Sequence, residues 1–154
     1  MNRLNGKTAI VTGGSQGIGQ AIAQMFAEEG ALVSIMDIDD DAGKQTAASN
    51  QETGGTAIFR HVDVADQKAV EEAVAFLLTE HGPIDILCNN AAYLGPSHNA
   101  LETTNEEWSR CIQVALMGTH HVTKAVLPHM IGKKQGSIVN IVSIQALVGC
   151  PDSV

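Results

Sequence analysis

The stretch Thr12-Gly13-Gly14-Ser15-Gln16-Gly17-Ile18-Gly19 constrains this chain more than any other. Upstream of it lies Lys7-Thr8-Ala9-Ile10-Val11, a short apolar run rich in β-branched residues, behind Asn5-Gly6. Downstream, Gln20 to Glu29 reads as a helix, with Ile18, Ile22, Met25 and Phe26 on one face. The order is strand, glycine-rich turn, helix, which is the context a dinucleotide fingerprint requires. Glycines in such a turn reach positive φ and let backbone N–H groups approach a ligand with no Cβ between them. The helix start adds unpaired N–H donors and a positive dipole end, both suited to a pyrophosphate. A glycine-rich βα turn with no ligand has the same local pattern, so the reading depends on the rest of the chain.

That remainder alternates strands and helices. Gly30 is placed to end the first helix. Ala31 to Asp37 then reads as a second strand, apolar almost throughout, as a parallel strand covered on both faces should be. Asp41 to Glu52 is a helix closed by Gly54-Gly55, and Thr56 to Val62 is a third strand. Asp66 to His81 is amphipathic, with Val70, Val74, Leu77 and Leu78 on one stripe, and Gly82-Pro83 stops it. Ile84 to Cys88 is the fourth strand and runs into Asn89-Asn90-Ala91-Ala92. Thr104 and Glu107 form a capping box that opens a long helix. In that helix Trp108, Cys111, Ile112, Ala115, Leu116, Thr119, Val122 and Val126 recur at helical spacing, and Pro128 disturbs the last turns. A turn over Gly132 to Gly136 leads into the fifth strand, Ser137 to Val142. The predicted fold is α/β: a Rossmann-type doubly wound parallel sheet in strand order 3-2-1-4-5, with right-handed crossovers. Its crevice is expected at the carboxyl ends of strands 1 and 4.

Asp37 ends the second strand, where an acidic residue hydrogen-bonds the adenosine ribose hydroxyls of NAD and repels a 2′-phosphate. The competing reading is a helix-start aspartate, since Asp39, Asp40 and Asp41 follow at once. Gly13, Gly17 and Gly19 are spaced one residue wider than in the commonest dinucleotide motif. This spacing resembles that of the short-chain dehydrogenase/reductase family, whose signature is TGxxxGxG. Asn89-Asn90-Ala91-Ala92 is similar to the family's NNAG motif, with Ala92 in the last position. The resemblance implies that Gly13, Ser15, Gln16, Gly17, Ile18 and Gly19 hold a nicotinamide dinucleotide, together with Asn90 and Ala91. It also implies that Asp63 and Val64 contact the adenine ring, with Asp63 as acceptor; by itself Asp63 reads as a turn or cap residue. Gln16 stands where family members that use NADP often carry Arg or Lys, so NAD(H) is favoured over NADP(H).

The same resemblance puts Ser143 at the place of a catalytic serine, which donates a hydrogen bond to the substrate oxygen. Family chemistry further uses a Tyr-x-x-x-Lys segment, in which the tyrosine moves the hydroxyl proton and the lysine charge favours tyrosinate. No such segment occurs in this chain, and the sole tyrosine, Tyr93, has no lysine four residues later. Ala115 stands where the family usually has an asparagine. The expected activity is hydride transfer between a secondary alcohol or ketone and NAD. A catalytically incomplete NAD-binding fragment or regulatory module and an NADPH-dependent carbonyl reductase are the alternatives. The resemblance covers essentially the whole chain but only the first half to two-thirds of a typical member, so a fragment of a longer dehydrogenase is expected, homo-oligomeric if full length.

Composition narrows the partners. The 154 residues suit one domain, and a net charge of −8 argues against nucleic acid, which needs clustered Lys and Arg. Lys133-Lys134 is the lone adjacent basic pair and reads as a solvated turn. Cys88, Cys111 and Cys150 have no metal or CxxC spacing; Cys88 and Cys111 lie in apolar segments and are expected to be small buried hydrophobes. His120, His121 and His129 read as helix-surface or packing residues, with no metal site. No apolar run nears the roughly 18 residues that a membrane helix needs, and no signal peptide is visible. No membrane partner is expected, and the cytoplasm is the expected location.

Overall fold

The computed structural model describes residues 2–95, 101–144 and 147–148. β1 (Thr8–Thr12), β2 (Leu32–Asp37), β3 (Thr56–His61), β4 (Ile86–Asn89) and β5 (Ser137–Asn140) form a five-stranded sheet. Its order is β3-β2-β1-β4-β5 and every pairing is parallel. The helices between strands are α1 (Gly17–Glu28), α2 (Asp40–Glu52) and α3 (Gln67–His81). A composite helix precedes β5: α4 (Asn105–Cys111), a π-helical segment (Ile112–Gly118) and α5 (Thr119–Lys133). The predicted fold class and strand order are therefore those observed.

Strand alternation splits the core in two. Ala9, Val11, Val33, Ile35, Ala57 and Cys88 face one way and pack with Ala23 and Ala27 of α1 and Ala47 of α2. Ile10, Met36 and Leu87 face the other way, against Val70, Val74 and Leu77 of α3 and Val122 and Val126 of α5. On the first face the helices contribute alanines, so α1 approaches the sheet closely along a Gly19–Ala23–Ala27 stripe. This corrects the predicted face of that helix: Ile22 and Phe26 only flank the contact, while Ile18 and Met25 are 65% and 59% exposed. Large side chains at the centre of the stripe would hold the helix off the sheet.

Other corrections concern the composite helix. Trp108, Cys111, Ile112 and Leu116 are exposed despite their helical spacing. Pro128 lies inside α5, which continues to Lys133 and ends at Lys134, in left-handed conformation at φ 53°. Lys133 is not in a solvated turn. Its Nζ donates to Asp85 Oδ1 at 2.9 Å, with Lys7 Nζ 3.6 Å from the same oxygen. Asp85 Oδ2 accepts the Thr8 N–H at 3.1 Å, and the Asp85 backbone joins Thr8 and Ser137. Through its carboxylate and its backbone together, Asp85 ties β1, β4, β5 and the end of α5 at the amino edge of the sheet.

Burial pushes the Asp85 carboxyl up, but the hydrogen bonds from Lys133 and Thr8 and the charges of Lys133 and Lys7 outweigh it and hold it below the ordinary carboxylate range. A folded pKa below the unfolded one means the contribution is complete above the unfolded value, about 3.9, and is lost as pH falls through the folded value. Asp85→Asn should lower stability at neutral pH by about 1–3 kcal/mol. It should also flatten the acid limb of the stability curve below about pH 4. Urea denaturation across that range measures both; an unchanged acid limb would remove Asp85 from the account. No helix among the described residues is long and apolar enough to cross a membrane.

Candidate functional site

The predicted cofactor-binding residues sit on four neighbouring strand tips at the carboxyl edge of the sheet. β1 delivers Thr12 and the glycine turn, β2 delivers Asp37, β3 delivers Asp63 and Val64, and β4 delivers Asn90 and Ala91. The tips of β1 and β4 are locked together. Thr12 Oγ1 accepts the N–H groups of Asn90 and Ala91, each at 3.0 Å. Asn90 Nδ2 donates back to the carbonyls of Thr12 (3.0 Å) and Gly13 (2.9 Å). Adjacent parallel strands diverge here because their connections leave on opposite faces, and these bonds satisfy backbone groups that the ladder cannot.

Gly13 has φ +62°, and a Cβ there would lie 2.8 Å from Ala91 Cα. Gly19, in the first turn of α1, is buried; a Cβ there would overlap the Gly13 carbonyl oxygen and lie 2.5 Å from Asn90 Nδ2. These two glycines let three chain segments meet where side chains would keep them apart. Gln16 precedes α1, and no side chain caps that helix. The first amides of α1 therefore keep their donors for a ligand. Gln16, Gly17 and Ile18 are all exposed at this opening. The arrangement fits a pyrophosphate, which needs close backbone approach and N–H donors.

Asp37 Oδ2 accepts the Ser15 N–H (3.0 Å) and the Ser15 hydroxyl (2.6 Å), and Oδ1 accepts the Asp39 N–H (3.1 Å). Ser15 is buried, and its carbonyl accepts from Thr46 Oγ1 at 2.9 Å. The glycine turn is thereby tied to both β2 and α2. Asp39 is the cap of α2, accepting the Ala42 N–H at 3.0 Å, so Asp37 is not required as a helix cap. Likewise Asp66 caps α3, which leaves Asp63 outside the helix. Asp63 Oδ1 accepts the Ala65 N–H at 2.9 Å and Oδ2 accepts from Arg110 at 2.8 Å. Burial pushes the Asp63 carboxyl up, but the Arg110 and Ala65 hydrogen bonds and the Arg110 charge hold it below the usual range. Asp37 and Asp63 lie on adjoining tips, since the Val62 N–H donates to the Asp37 carbonyl at 2.9 Å.

Ser143 lies beyond β5 and is exposed. It follows the extension of the β4–β5 ladder, in which the Ile141 N–H reaches the Asn89 carbonyl at 2.8 Å. Tyr93 is half-buried and packs against the core cluster under α3 and α5. Ala115 is exposed within the π-helical segment, and its carbonyl accepts from Thr119 Oγ1 at 2.8 Å. Among the described residues no group of His, Cys, Asp and Glu could hold a metal ion. Cys150 lies outside the described residues.

Sequence reasoning missed the Thr12 hydroxyl and Arg110. A threonine directly before the glycine turn carries some signal, because a strand tip has unpaired neighbours to satisfy. Arg110 carries none, since a lone arginine on a helix reads as solvated.

From residue 7 to 154 the chain matches the family model described as short chain dehydrogenase. It is 41% identical over 150 residues to an uncharacterized oxidoreductase of Thermotoga maritima, covering 97% of this chain and 58% of that protein. Its fold matches NAD+-bound xylitol dehydrogenase with a TM-score of 0.93 and 34% identity, covering 98% of this chain and 58% of that one. A metagenomic short-chain oxidoreductase in complex with NADP matches with a TM-score of 0.91 and 31% identity, covering 97% and 68%. The chain spans less than two thirds of the length of the Thermotoga relative. With the glycine turn, the strand-tip aspartates and the Asn-Asn corner on one sheet edge, and with this match along nearly its whole length, the chain belongs to the short chain dehydrogenase family.

Proposed function

We propose that this chain is the cofactor-binding portion of an NAD-dependent oxidoreductase acting on a secondary alcohol or ketone. The observation that carries the reading is Asp37. Its carboxylate ends β2 beside the glycine turn, is held there by Ser15, and is followed directly by Ile38 and Asp39 rather than by a basic residue. A carboxylate there accepts hydrogen bonds from ribose hydroxyls and repels a 2′-phosphate. The pyrophosphate would lie against the amides from Gln16 to Gly19, with Ser15 holding the turn through Asp37, the adenine against Asp63 and Val64, and the inner part of the dinucleotide against Asn90 and Ala91. Bound nicotinamide supplies the hydride chemistry. The chain's own share is to bind, orient and keep the crevice shaped; Ser143 would donate a hydrogen bond to the substrate oxygen as charge develops there.

Relatives divide on the cofactor, since one matched structure holds NAD+ and another NADP. The Asp37 charge and the uncharged Gln16 favour NAD. A second reading, an NAD-binding module without turnover, is favoured by Tyr93 being packed into the core margin and by Ala115 in the usual asparagine place. Titration calorimetry with NAD and NADP, followed by an alcohol panel read by absorbance of the reduced nicotinamide, separates these. NAD binding with turnover supports the first reading; NAD binding with no turnover supports the second. Tighter binding of NADP overturns the cofactor assignment, and uptake of neither overturns both. Trp108, Ile112 and Leu116 are large apolar side chains exposed at i, i+4 and i+8, and such exposure favours self-association, which sedimentation would detect.

A further inference from the structure

The Asp63–Val64 segment is gripped by a helix far from it in sequence. Arg110, near the end of α4, donates to Asp63 Oδ2 at 2.8 Å, and both side chains are about one-third exposed. Gly118, in the π-helical segment, lies so close that a Cβ would be 2.5 Å from Val64 Cγ2. At the start of α5, the buried His121 has its Nδ1 at 3.0 Å from the Val64 carbonyl. A carbonyl only accepts, so that nitrogen carries the proton. A side chain, a backbone contact and a ring thus hold one short segment from the same composite helix.

The Asp63 carboxylate offers about four lone-pair sites, of which Ala65 and Arg110 take two. The remaining sites stay accessible, because the group is one-third exposed. With a guanidinium on one oxygen and an amide on the other, the carboxylate cannot rotate freely and presents lone pairs only. A base with an exocyclic amine at its six-position would meet an acceptor there. Hypoxanthine reverses that edge: its six-position carbonyl sets lone pairs against the carboxylate, and its donor moves to N1, out of line with an acceptor that is held in place. We propose that Arg110 is a positioning residue for base specificity: by fixing the Asp63 carboxylate as an acceptor, it makes the site select adenine over hypoxanthine in the dinucleotide. The inference rests on the NAD reading above and adds to it a residue that touches neither cofactor nor substrate.

Calorimetric titration with NAD and with its hypoxanthine analogue tests this in the wild type, Arg110→Met and Arg110→Lys. Met keeps the length of the stem without the charge, and Lys restores a single charged donor, which is what the observed contact uses. The wild type should prefer NAD by about tenfold or more, the scale of one charge-assisted hydrogen bond. Arg110→Met should bring the two ligands within about threefold of each other, mainly by loss of NAD affinity, and Arg110→Lys should keep most of the preference. A wild type that binds both equally, an undiminished preference in Arg110→Met, or an equal weakening of both ligands overturns the inference and leaves the NAD site standing. Should the wild type take up neither dinucleotide, the nucleotide reading falls and this one with it.

Discussion

Gly19→Ala should weaken NAD uptake by at least about tenfold and destabilise the fold. The new methyl group would occupy the space of the Gly13 carbonyl oxygen and crowd Asn90 Nδ2, which itself bonds the Thr12 and Gly13 carbonyls. Neither neighbour is the loose end of a flexible side chain. One is backbone, and the other is an amide held by two hydrogen bonds. Alanine in a helix is favoured over glycine by up to about 1 kcal/mol. Overpacking a close contact costs about 1–3 kcal/mol, so the steric term wins. The binding effect should exceed the stability effect. To accept the methyl group, α1 must move away from the β1 tip, and its first amides then leave the place where a pyrophosphate would meet them. Calorimetry should show NAD affinity reduced at least tenfold, with a lower melting temperature. Wild-type affinity in a variant of unchanged stability would contradict the close approach on which the site is built.

The second large effect is a change in cofactor preference at Asp37. Removing the carboxylate in Asp37→Ala should weaken NAD by about 1.5–3 kcal/mol, the range for hydrogen bonds to a charged group. NADP should lose far less, because its 2′-phosphate no longer faces a like charge. The alanine also strips two donors of Ser15 of their acceptor, so some of the loss would come from a displaced glycine turn. Asp37→Asn separates these causes. It keeps an acceptor for Ser15 and removes the charge, so it should shift the NAD-to-NADP ratio while sparing the turn. If both variants leave that ratio unchanged, Asp37 does not discriminate between the cofactors.

Short-range pattern made much of this protein legible. The β-branched run ending at Thr12, the glycine turn and the helix after it place a strand tip and a helix start side by side, wherever the rest of the chain goes. Strand-and-helix alternation with right-handed crossovers then leaves few topologies, and the observed β3-β2-β1-β4-β5 order is the one expected. The Thr104–Glu107 capping box was likewise visible, since both partners lie within one turn.

What the sequence could not decide depends on partners distant along the chain. Asp63 meets Arg110 across 47 residues and Asp85 meets Lys133 across 48, and no local rule pairs those side chains. The buried stripe of α1 was misread because periodicity marks where large apolar residues recur, whereas the helix packs its Gly19–Ala23–Ala27 stripe against branched side chains of the sheet such as Val11, Val33 and Ile35. The π-helical segment between α4 and α5 is equally tertiary. Its residues have ordinary helical spacing, and its place becomes apparent only through the contact of Gly118 with Val64. Sequence by itself indicated the family, through its glycine and Asn-Asn motifs, and the sheet with its carboxyl edge, through local backbone preference and right-handed crossovers. Tertiary structure alone decided which charges meet at that edge, because that depends on how separate helices pack against the finished sheet.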